Sequence, residues 1–203
     1  MGASPLVPPI PGIENPNVIE VIDAHTNRLD EIKGEIVILG GGLSGCDFAL
    51  ELAQRGNRVT IVEMADKLAA KCNWTSRSAL LGQLKKNQVI QLTGCKVVAF
   101  EENIVIIERQ SGNQEKLPMD IAIVALGTRS NQKAAQEICE KYANAVMIGD
   151  CKQVSQVGNG MHDAYQAVWM LEGDRTEKEK ILKKRAKEEK FRLRLSSILM
   201  PNN

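Results

Sequence analysis

The sequence predicts an α/β fold with a parallel sheet. Two apolar, β-type runs at residues 36–39 and 58–63 flank a stretch of good helix formers that ends near Gln54. A glycine-rich turn precedes that helix, and Gly56 and Asn57 supply its stop signal. Strand, turn, helix, turn and strand therefore follow one another within a short segment, which is typical of the βαβ unit of a parallel sheet.

The segments further along the chain add three helices, two more sheet strands and a β-meander. The predicted helices cover residues 75–86, 132–142 and 161–171, and the predicted strands cover residues 89–92, 96–100, 104–108 and 121–125. Residues 101–103 and 111–113 are turn signals that fold the middle strands back on one another. Residues 1–17 are proline-rich, which predicts an extended segment without helix. Thr176 and Glu179 have the spacing of a capping box and open a final charged helix.

The composition excludes several classes of protein. Of the 203 residues, 43% are hydrophobic and 25% charged, as in ordinary globular domains and unlike disordered chains. Aromatic residues make up only 3%, too few for the stacking platforms of single-strand nucleic-acid binders. No apolar run is long enough to cross a bilayer, and the N-terminus lacks the pattern of a signal peptide. We therefore expect a cytoplasmic protein with neither a nucleic-acid partner nor a transmembrane segment.

Cysteine and histidine usage excludes most metal and nucleophile chemistry. The five cysteines are scattered without any Cys-x-x-Cys pair, and His25 and His162 are the only histidines. We predict that Cys46 packs in the core rather than acting as a redox thiol, and that His162 is a surface or packing residue. No Gly-x-Ser-x-Gly elbow supports a serine nucleophile. The sequence therefore predicts neither a catalytic residue nor a metal ligand.

The strongest chemical signal is the triplet Gly40-x-Gly42-x-x-Gly45 between the first strand and its helix. Gly40 permits a tight turn, Gly42 lets a pyrophosphate approach the backbone, and Gly45 lets the helix pack closely on the strand. The helix N-terminus, at Leu43 and Ser44, supplies amide donors and a partial positive charge. This context predicts a Rossmann-like dinucleotide site. The alternative is a glycine turn that serves packing only.

An acidic residue follows at the distance that the dinucleotide fingerprint requires. Glu63 ends the second strand, 18 residues after Gly45. Its carboxylate would accept hydrogen bonds from the adenosine ribose hydroxyls and repel a 2′-phosphate, which favours NAD(H) over NADP(H). The cofactor-binding prediction also includes Met64, beside Glu63, and Lys67, whose positive charge would soften that preference.

Four motifs then appear in the order of a known family. Residues 8–12 with 16–18 resemble the linker between the FAD and NAD(P)H domains of flavin-dependent pyridine nucleotide oxidoreductases. Residues 40–47 with 59–64 closely resemble the Old Yellow Enzyme-like NADH:flavin oxidoreductases, the enoate and 2,4-dienoyl-CoA reductase group. Residues 125–131 and 148–150 resemble two further motifs of this group. The resemblance covers roughly residues 2–173, with Asp47 where glutamate is usual and Ser130 where proline is usual.

The resemblance implies further cofactor contacts. Ala125, Leu126 and Gly127 would flank the nicotinamide site, and Arg129 would contact the cofactor or remain a solvated loop residue. Gly149 and Asp150 match the second FAD motif, in which the aspartate binds the ribityl chain. Cys151, beside them, is predicted to be a structural thiol. FAD would be held in the complete parent protein, and FMN and an iron–sulfur cluster are implied there by the resemblance alone.

The family's barrel, its four cluster cysteines and its earlier glycine motif have no counterpart in these 203 residues. We therefore expect an excised part of a larger enzyme, whose partners would be NADH and the parent's missing FAD and barrel domains. The expected organisation is an FAD-domain strip and linker (1–33), an NAD(H)-binding domain (34–145), a second FAD-domain strip (146–173) and a charged C-terminal helix (174–203).

Three functions follow from these observations. The first is the NADH-binding module of a flavin-dependent oxidoreductase, inactive alone. The second is a non-catalytic nucleotide-binding module that uses its tail, with ten basic and five acidic residues, as a partner contact. The third is a stand-alone NAD-dependent dehydrogenase, which would need a substrate pocket and a proton-transfer residue.

Overall fold

A computed structural model describes residues 2–171 and, beyond them, residues 180, 183, 184 and 187. The predicted helix 174–203 and its capping box lie outside the described residues, apart from those four positions. The chain divides into two compact units. Residues 4–129 form the larger unit, and residues 1–3 together with the chain from Ser130 onward form the smaller.

The described residues form ten strands and five helices, numbered here in chain order. The strands are β1 (Ala3–Pro5), β2 (Val18–Glu20), β3 (Glu35–Leu39), β4 (Arg58–Val62), β5 (Ile90–Leu92), β6 (Cys95–Glu101), β7 (Ile104–Arg109), β8 (Gln114–Pro118), β9 (Ile121–Val124) and β10 (Thr128–Ser130). The helices are α1 (Val21–Thr26), α2 (Leu43–Gln54), α3 (Trp74–Lys86), α4 (Gln132–Lys141) and α5 (Val157–Leu171). Strands β1 and β10 pair with each other.

The larger unit is built on a five-stranded parallel sheet in the order β2-β9-β3-β4-β5. In this sheet Leu39 of β3 stands beside Val62 of β4 on one side and Val124 of β9 on the other. The carboxyl ends of these three strands therefore meet at one edge. Ligands of open α/β sheets bind outside this edge.

Alternate residues of the parallel sheet pack into two different cores. Ile36 and Ile38 of β3 belong to a core shared with helices α1, α2 and α3, while Val37 and Leu39 of the same strand belong to a second core. A strand buried on both faces requires a continuous apolar run, and residues 36–39 supply it.

The second core is closed by the antiparallel meander β6-β7-β8. Phe100, Val105 and Ile107 of the meander are buried there, and Ile10 and Ile13 of the proline-rich segment pack against them. A register shift between Val97 and Ala99 marks a bulge in β6. Helices, parallel sheet and meander make three layers, so the predicted Rossmann-like α/β architecture is confirmed.

The smaller unit contains α4, α5 and a 3₁₀ turn at Gly149–Cys151. The sequence patterns placed α4 well but started the last described helix at residue 161, whereas α5 begins at Val157. They missed β2 and α1. Together these elements have only nine residues, and no turn residue separates the strand from the helix, so the sequence shows neither the alternation of a strand nor the period of a helix. No helix in the described part of the chain has both the length and the apolar character required to span a membrane.

Candidate functional site

The glycine turn leaves the carboxyl end of β3 and is fixed to both neighbouring strands. Gly40 has a φ of +103°, and its N–H donates to the carbonyl of Val62 at 2.9 Å. A Cβ atom at this position would lie 2.5 Å from the carbonyl oxygen of Ala125. Only glycine therefore fits both the backbone angle and the space between the strand ends.

The other two motif glycines stand in opposite environments. A Cβ on Gly45 would overlap the carbonyl oxygen of Gly40 and lie 3.3 Å from the Ala125 side chain, so Gly45 lets α2 pack against the turn. A Cβ on Gly42 would meet no atom within 4 Å. Close packing therefore explains why position 45 is glycine, but it does not explain why position 42 is glycine. The open side of Gly42 leaves room for a ligand to approach the backbone.

The start of α2 has amide groups that the described residues do not cap with a side chain. Gly42 is the N-cap, with an ordinary φ of −66° and no side-chain hydrogen bond to the helix. Leu43 and Ser44 follow on the exposed surface. In a helix of 12 residues, these first-turn amides and the positive end of the helix dipole suit an anion such as a pyrophosphate.

Glu63 turns from the end of β4 towards the glycine turn. One carboxylate oxygen, Oε2, accepts the Gly41 N–H at 2.6 Å, and Oε1 accepts the Ala65 N–H at 2.7 Å. The side chain is thus held beside the turn while remaining half-buried. A carboxylate offers about four acceptor positions, so two remain for ribose hydroxyls.

The remaining predicted residues of the larger unit lie around the same strand ends with different degrees of exposure. Ala125 is buried, its N–H donates to the carbonyl of Leu39 at 2.8 Å, and Leu126 and Gly127 follow it at the surface. Met64 is 68% exposed and Lys67 is exposed as well, on the loop after β4. Arg129 is exposed on β10. Ala125 therefore lies beside the glycine turn. The cofactor contacts of all these residues, including Leu126, Gly127, Met64, Lys67 and Arg129, stay predictions.

Two residues on α2 have perturbed acid–base behaviour. Cys46 is buried, donates its S–H to the Gly41 carbonyl at 3.4 Å, and has a thiol pKa raised to about 11 by burial, with Asp47 adding to the rise. A thiol with so high a pKa is a poor nucleophile, in keeping with a packing role. Partial burial also raises the pKa of the Asp47 carboxyl.

Gly149 and Asp150 belong to the smaller unit. Gly149 has a φ of +60°, and its N–H donates to Asp163 Oδ2 at 3.3 Å. Asp150 is exposed and its Oδ1 accepts the Ser155 N–H at 3.2 Å. Cys151 donates its S–H to the Ile148 carbonyl at 3.1 Å. These contacts stabilise the turn, and a cavity of about 240 Å³ lies beside it, lined among others by Ile148, Lys152 and Asp163. Neither Gly149 nor Asp150 lines that cavity, so the assignment of Asp150 to FAD stays a prediction.

Sequence reasoning missed the residues that hold the loop after β4 against the glycine turn. A Cβ on Gly41 would overlap Leu68 Cδ2, so Leu68 packs directly against this fourth glycine, whereas Gly45 is restricted by backbone. Leu68 and Ala69 are each 2% exposed, and the Arg77 Nε–H donates to the Leu68 carbonyl at 2.7 Å. The uninterrupted run Gly40-Gly41-Gly42 was the only available signal for Gly41.

Comparison with known proteins identifies the family. The family described as pyridine nucleotide-disulphide oxidoreductase matches residues 1–170. The chain belongs to this family. Its relatives are NAD- and FAD-dependent reductases, in agreement with the nucleotide-binding geometry at the ends of β3 and β4.

Two curated relatives illustrate the similarity. It is 33% identical over 171 residues to a bilirubin reductase of Mediterraneibacter gnavus, covering 84% of this chain and 26% of that protein. It is 28% identical over 174 residues to an NADH oxidase of Thermoanaerobacter brockii, covering 84% of this chain and 27% of that protein. The chain thus spans about a quarter of the length of these relatives.

Solved structures share the fold. A 2-naphthoyl-CoA reductase in complex with 2-naphthoyl-CoA superposes with a TM-score of 0.70 at 24% identity, over 81% of this chain and 25% of that one. A flavoprotein disulfide reductase from Escherichia coli gives a TM-score of 0.65 at 23% identity, over 86% and 43% of the two chains. At this identity the likeness establishes the architecture alone.

The pyridine nucleotide-disulphide oxidoreductase family implies NAD(P)H and FAD as cofactors, and the two fit this chain unequally. For the nicotinamide dinucleotide the larger unit offers an open backbone at Gly42, uncapped amides on α2 and a carboxylate on the neighbouring strand. This donor set fits a pyrophosphate and a ribose. For FAD the predicted contacts are Gly149 and Asp150, whose described hydrogen bonds go to Asp163 and Ser155.

Proposed function

We propose that this chain is the NADH-binding module of a larger flavin-dependent oxidoreductase. The observation that carries the proposal is the pairing of the open glycine turn with a fixed carboxylate, since Glu63 lies 2.6 Å from the Gly41 amide. In this role the chain binds and orients the dinucleotide, while the parent protein holds FAD. The chemistry that the nicotinamide supplies when bound is hydride donation to the flavin.

In this proposal, different residues of the larger unit bind different parts of the dinucleotide. The first-turn amides of α2 hold the pyrophosphate, and Gly42 allows it to reach the backbone. Glu63 accepts the ribose hydroxyls and repels a 2′-phosphate, so NADH is bound in preference to NADPH. Ala125, Leu126 and Gly127 border the nicotinamide end. No residue of this chain transfers a proton in the proposed step, consistent with the lack of an acid–base or nucleophile constellation.

The finer assignment is to the Old Yellow Enzyme-like group, with an enoate or 2,4-dienoyl-CoA type of substrate. The four motifs in order support it. Substrate choice, FMN and an iron–sulfur cluster belong in this proposal to the parent's other domains. The boundaries 1–33, 34–145, 146–173 and 174–203 belong to the proposal as well.

The test is calorimetric titration of the 203-residue chain with NADH, NADPH and FAD. We expect NADH to bind at least about tenfold more tightly than NADPH, and FAD to bind little or not at all. E63Q removes the charge that repels a 2′-phosphate, so the preference for NADH should shrink. Equal affinity for both nucleotides in the unmodified chain would refute the role of Glu63, and absence of binding would refute the module itself.

A matched pair of glycine variants separates ligand contact from folding. G42A adds a methyl group where the protein leaves open space, so the chain should stay folded while NADH binding falls about tenfold or more. G82A adds the same group to an equally open position on α3 and should leave binding unchanged. If G42A binds NADH as tightly as the unmodified chain, the glycine turn serves packing only.

A turnover assay separates the proposed module from a stand-alone dehydrogenase. The chain should not oxidise NADH in the presence of FMN, FAD or a dye acceptor, because the proposed flavin site lies in the parent protein. Steady NADH oxidation by the isolated chain, above the rate with the acceptors alone, would contradict the proposed inactivity of this module.

A further inference from the structure

The loop after β4, residues 64–72, is held against the glycine turn by a single peptide unit. The Leu68–Ala69 peptide is anchored at both ends: its carbonyl accepts the Arg77 Nε–H at 2.7 Å, and its N–H donates to the Gly41 carbonyl at 2.7 Å. The side chains of Leu68 and Ala69 are buried. The loop is therefore tied on one side to α3 and on the other to the dinucleotide motif.

This anchored peptide sits in an unfavourable backbone conformation. Ala69 has a φ of +47°, in the left-handed region that non-glycine residues rarely adopt. A left-handed alanine persists only where its surroundings hold it in place. The two hydrogen bonds on the Leu68–Ala69 peptide are such constraints, and the one from Arg77 is made by a side chain.

The contact at Gly41 fixes the direction of the next amide. The described chain contains no cis peptide bond, and in a trans peptide the carbonyl and the following N–H point in opposite directions. Because the Gly41 carbonyl points inward to the Ala69 N–H and the Cys46 thiol, the Gly42 N–H must point outward. Gly42 itself is exposed, and a Cβ at this position would meet no atom within 4 Å.

We infer that Arg77 is a positioning residue of the dinucleotide site. It acts through the Leu68–Ala69 peptide on the Gly41–Gly42 peptide, which it keeps oriented with the Gly42 N–H available to a pyrophosphate. The same connection supports the Gly41 N–H that holds Glu63. Arg77 lies on α3, outside the glycine fingerprint, and its described contact is with the backbone of the loop rather than with a ligand position.

The test combines R77M, which removes the Nε donor and puts no other donor in its place, with R77K, which keeps a side-chain cation able to reach a carbonyl. R58M is the matched control, because the Arg58 guanidinium also contacts its partner through Nε, at 2.6 Å from Glu35, but on the exposed surface. The first readout is the ¹H–¹⁵N amide spectrum without nucleotide. R77M should shift the Gly41, Gly42 and Ala69 signals, R77K should restore most of the shift, and R58M should leave them in place.

The second readout is NADH affinity, which rests on the proposed function. R77M should weaken binding about tenfold, the value of one well-placed hydrogen bond, with R77K intermediate and R58M unchanged. Should R77M unfold, the same substitution is made in an A69G background, where glycine tolerates the left-handed angle without the hydrogen bond from Arg77. The tenfold loss relative to A69G alone is then expected.

The two hypotheses fail in different ways. Unchanged Gly41 and Gly42 amide signals in R77M would overturn the positioning role even if the unmodified chain binds NADH. Shifted signals in a chain that binds no nucleotide would support the positioning role and refute the proposed function. A shift of the same size in R77K and R77M would also overturn the inference, because the donated hydrogen bond would then not be the cause.

Discussion

A single methyl group has opposite consequences at different glycines of this chain. At Gly45 it would overlap a backbone carbonyl that cannot move without displacing the turn, whereas at Gly82 it would enter open space. Both residues lie within helices, so the difference does not come from backbone angles. It comes from how closely α2 approaches the end of β3.

We predict that G45A lowers the free energy of unfolding by about 3 kcal/mol, since overpacking against backbone is costly. G82A should instead raise it, by up to about 1 kcal/mol, because alanine is the better helix former. Urea denaturation of both variants measures these values. A G45A protein as stable as the unmodified chain would show that α2 is not packed on the turn as closely as described.

At the scale of elements, the smaller unit depends on a link between its glycine turn and α5. Asp163, on α5, accepts the Gly149 N–H through Oδ2 and pairs with Lys152 Nζ through Oδ1 at 2.8 Å. The hydrogen bond from Lys152 lowers the pKa of the Asp163 carboxyl below its ordinary value. This contribution to stability is present above the ordinary aspartate pKa and is lost as the pH falls through the lowered value.

We predict that D163N lowers the stability of the smaller unit by about 1 kcal/mol, because a partly exposed ion pair and one backbone hydrogen bond are weakened. Faster amide hydrogen exchange at Gly149 is the measurement. K152Q should reproduce part of the effect, and K133Q, on the exposed surface of α4, should have none. Unchanged exchange in D163N would mean that α5 and the turn do not depend on this contact.

At the scale of the whole molecule, the parallel sheet is covered on both faces, and a buried thiol lies in one of its cores. Cys46 packs where α2 covers the sheet, and burial raises its thiol pKa from an ordinary value near 9 to about 11. The unfolded chain therefore releases this proton about two pH units earlier than the folded one. Stability must fall with rising pH across that interval and level off above it.

The predicted fall from pH 9 to pH 11 is about 1.4 kcal/mol per pH unit from this thiol. Urea denaturation of the unmodified chain and of C46A at several pH values separates the contribution of this thiol from all others. The C46A variant lacks the thiol proton but keeps every other titratable group. C72A is the control and should keep the full fall. Parallel curves for C46A and the unmodified chain would contradict the raised pKa.

Local patterns sufficed for the central part of the fold. The apolar run of β3, the glycine turn and the helix formers of α2 are contiguous, and each has a strong short-range preference, so the βαβ unit could be read directly. Strand β2 could not, because its three residues are ordered by pairing with β9, more than a hundred residues away. A segment of three residues is too short to show the alternating pattern that predicts a strand.

The candidate site divides in the same way. The spacing of Gly40, Gly42, Gly45 and Glu63 predicts one dinucleotide fingerprint from the sequence alone, because a glycine turn and a single helix separate two adjacent strands. The hydrogen bonds from the Gly41 N–H to Glu63 and from Arg77 to the Leu68 carbonyl could be found only in the folded chain. Those hydrogen bonds join segments whose directions depend on how α3 packs on the sheet, and packing is a property of the assembled chain rather than of any segment.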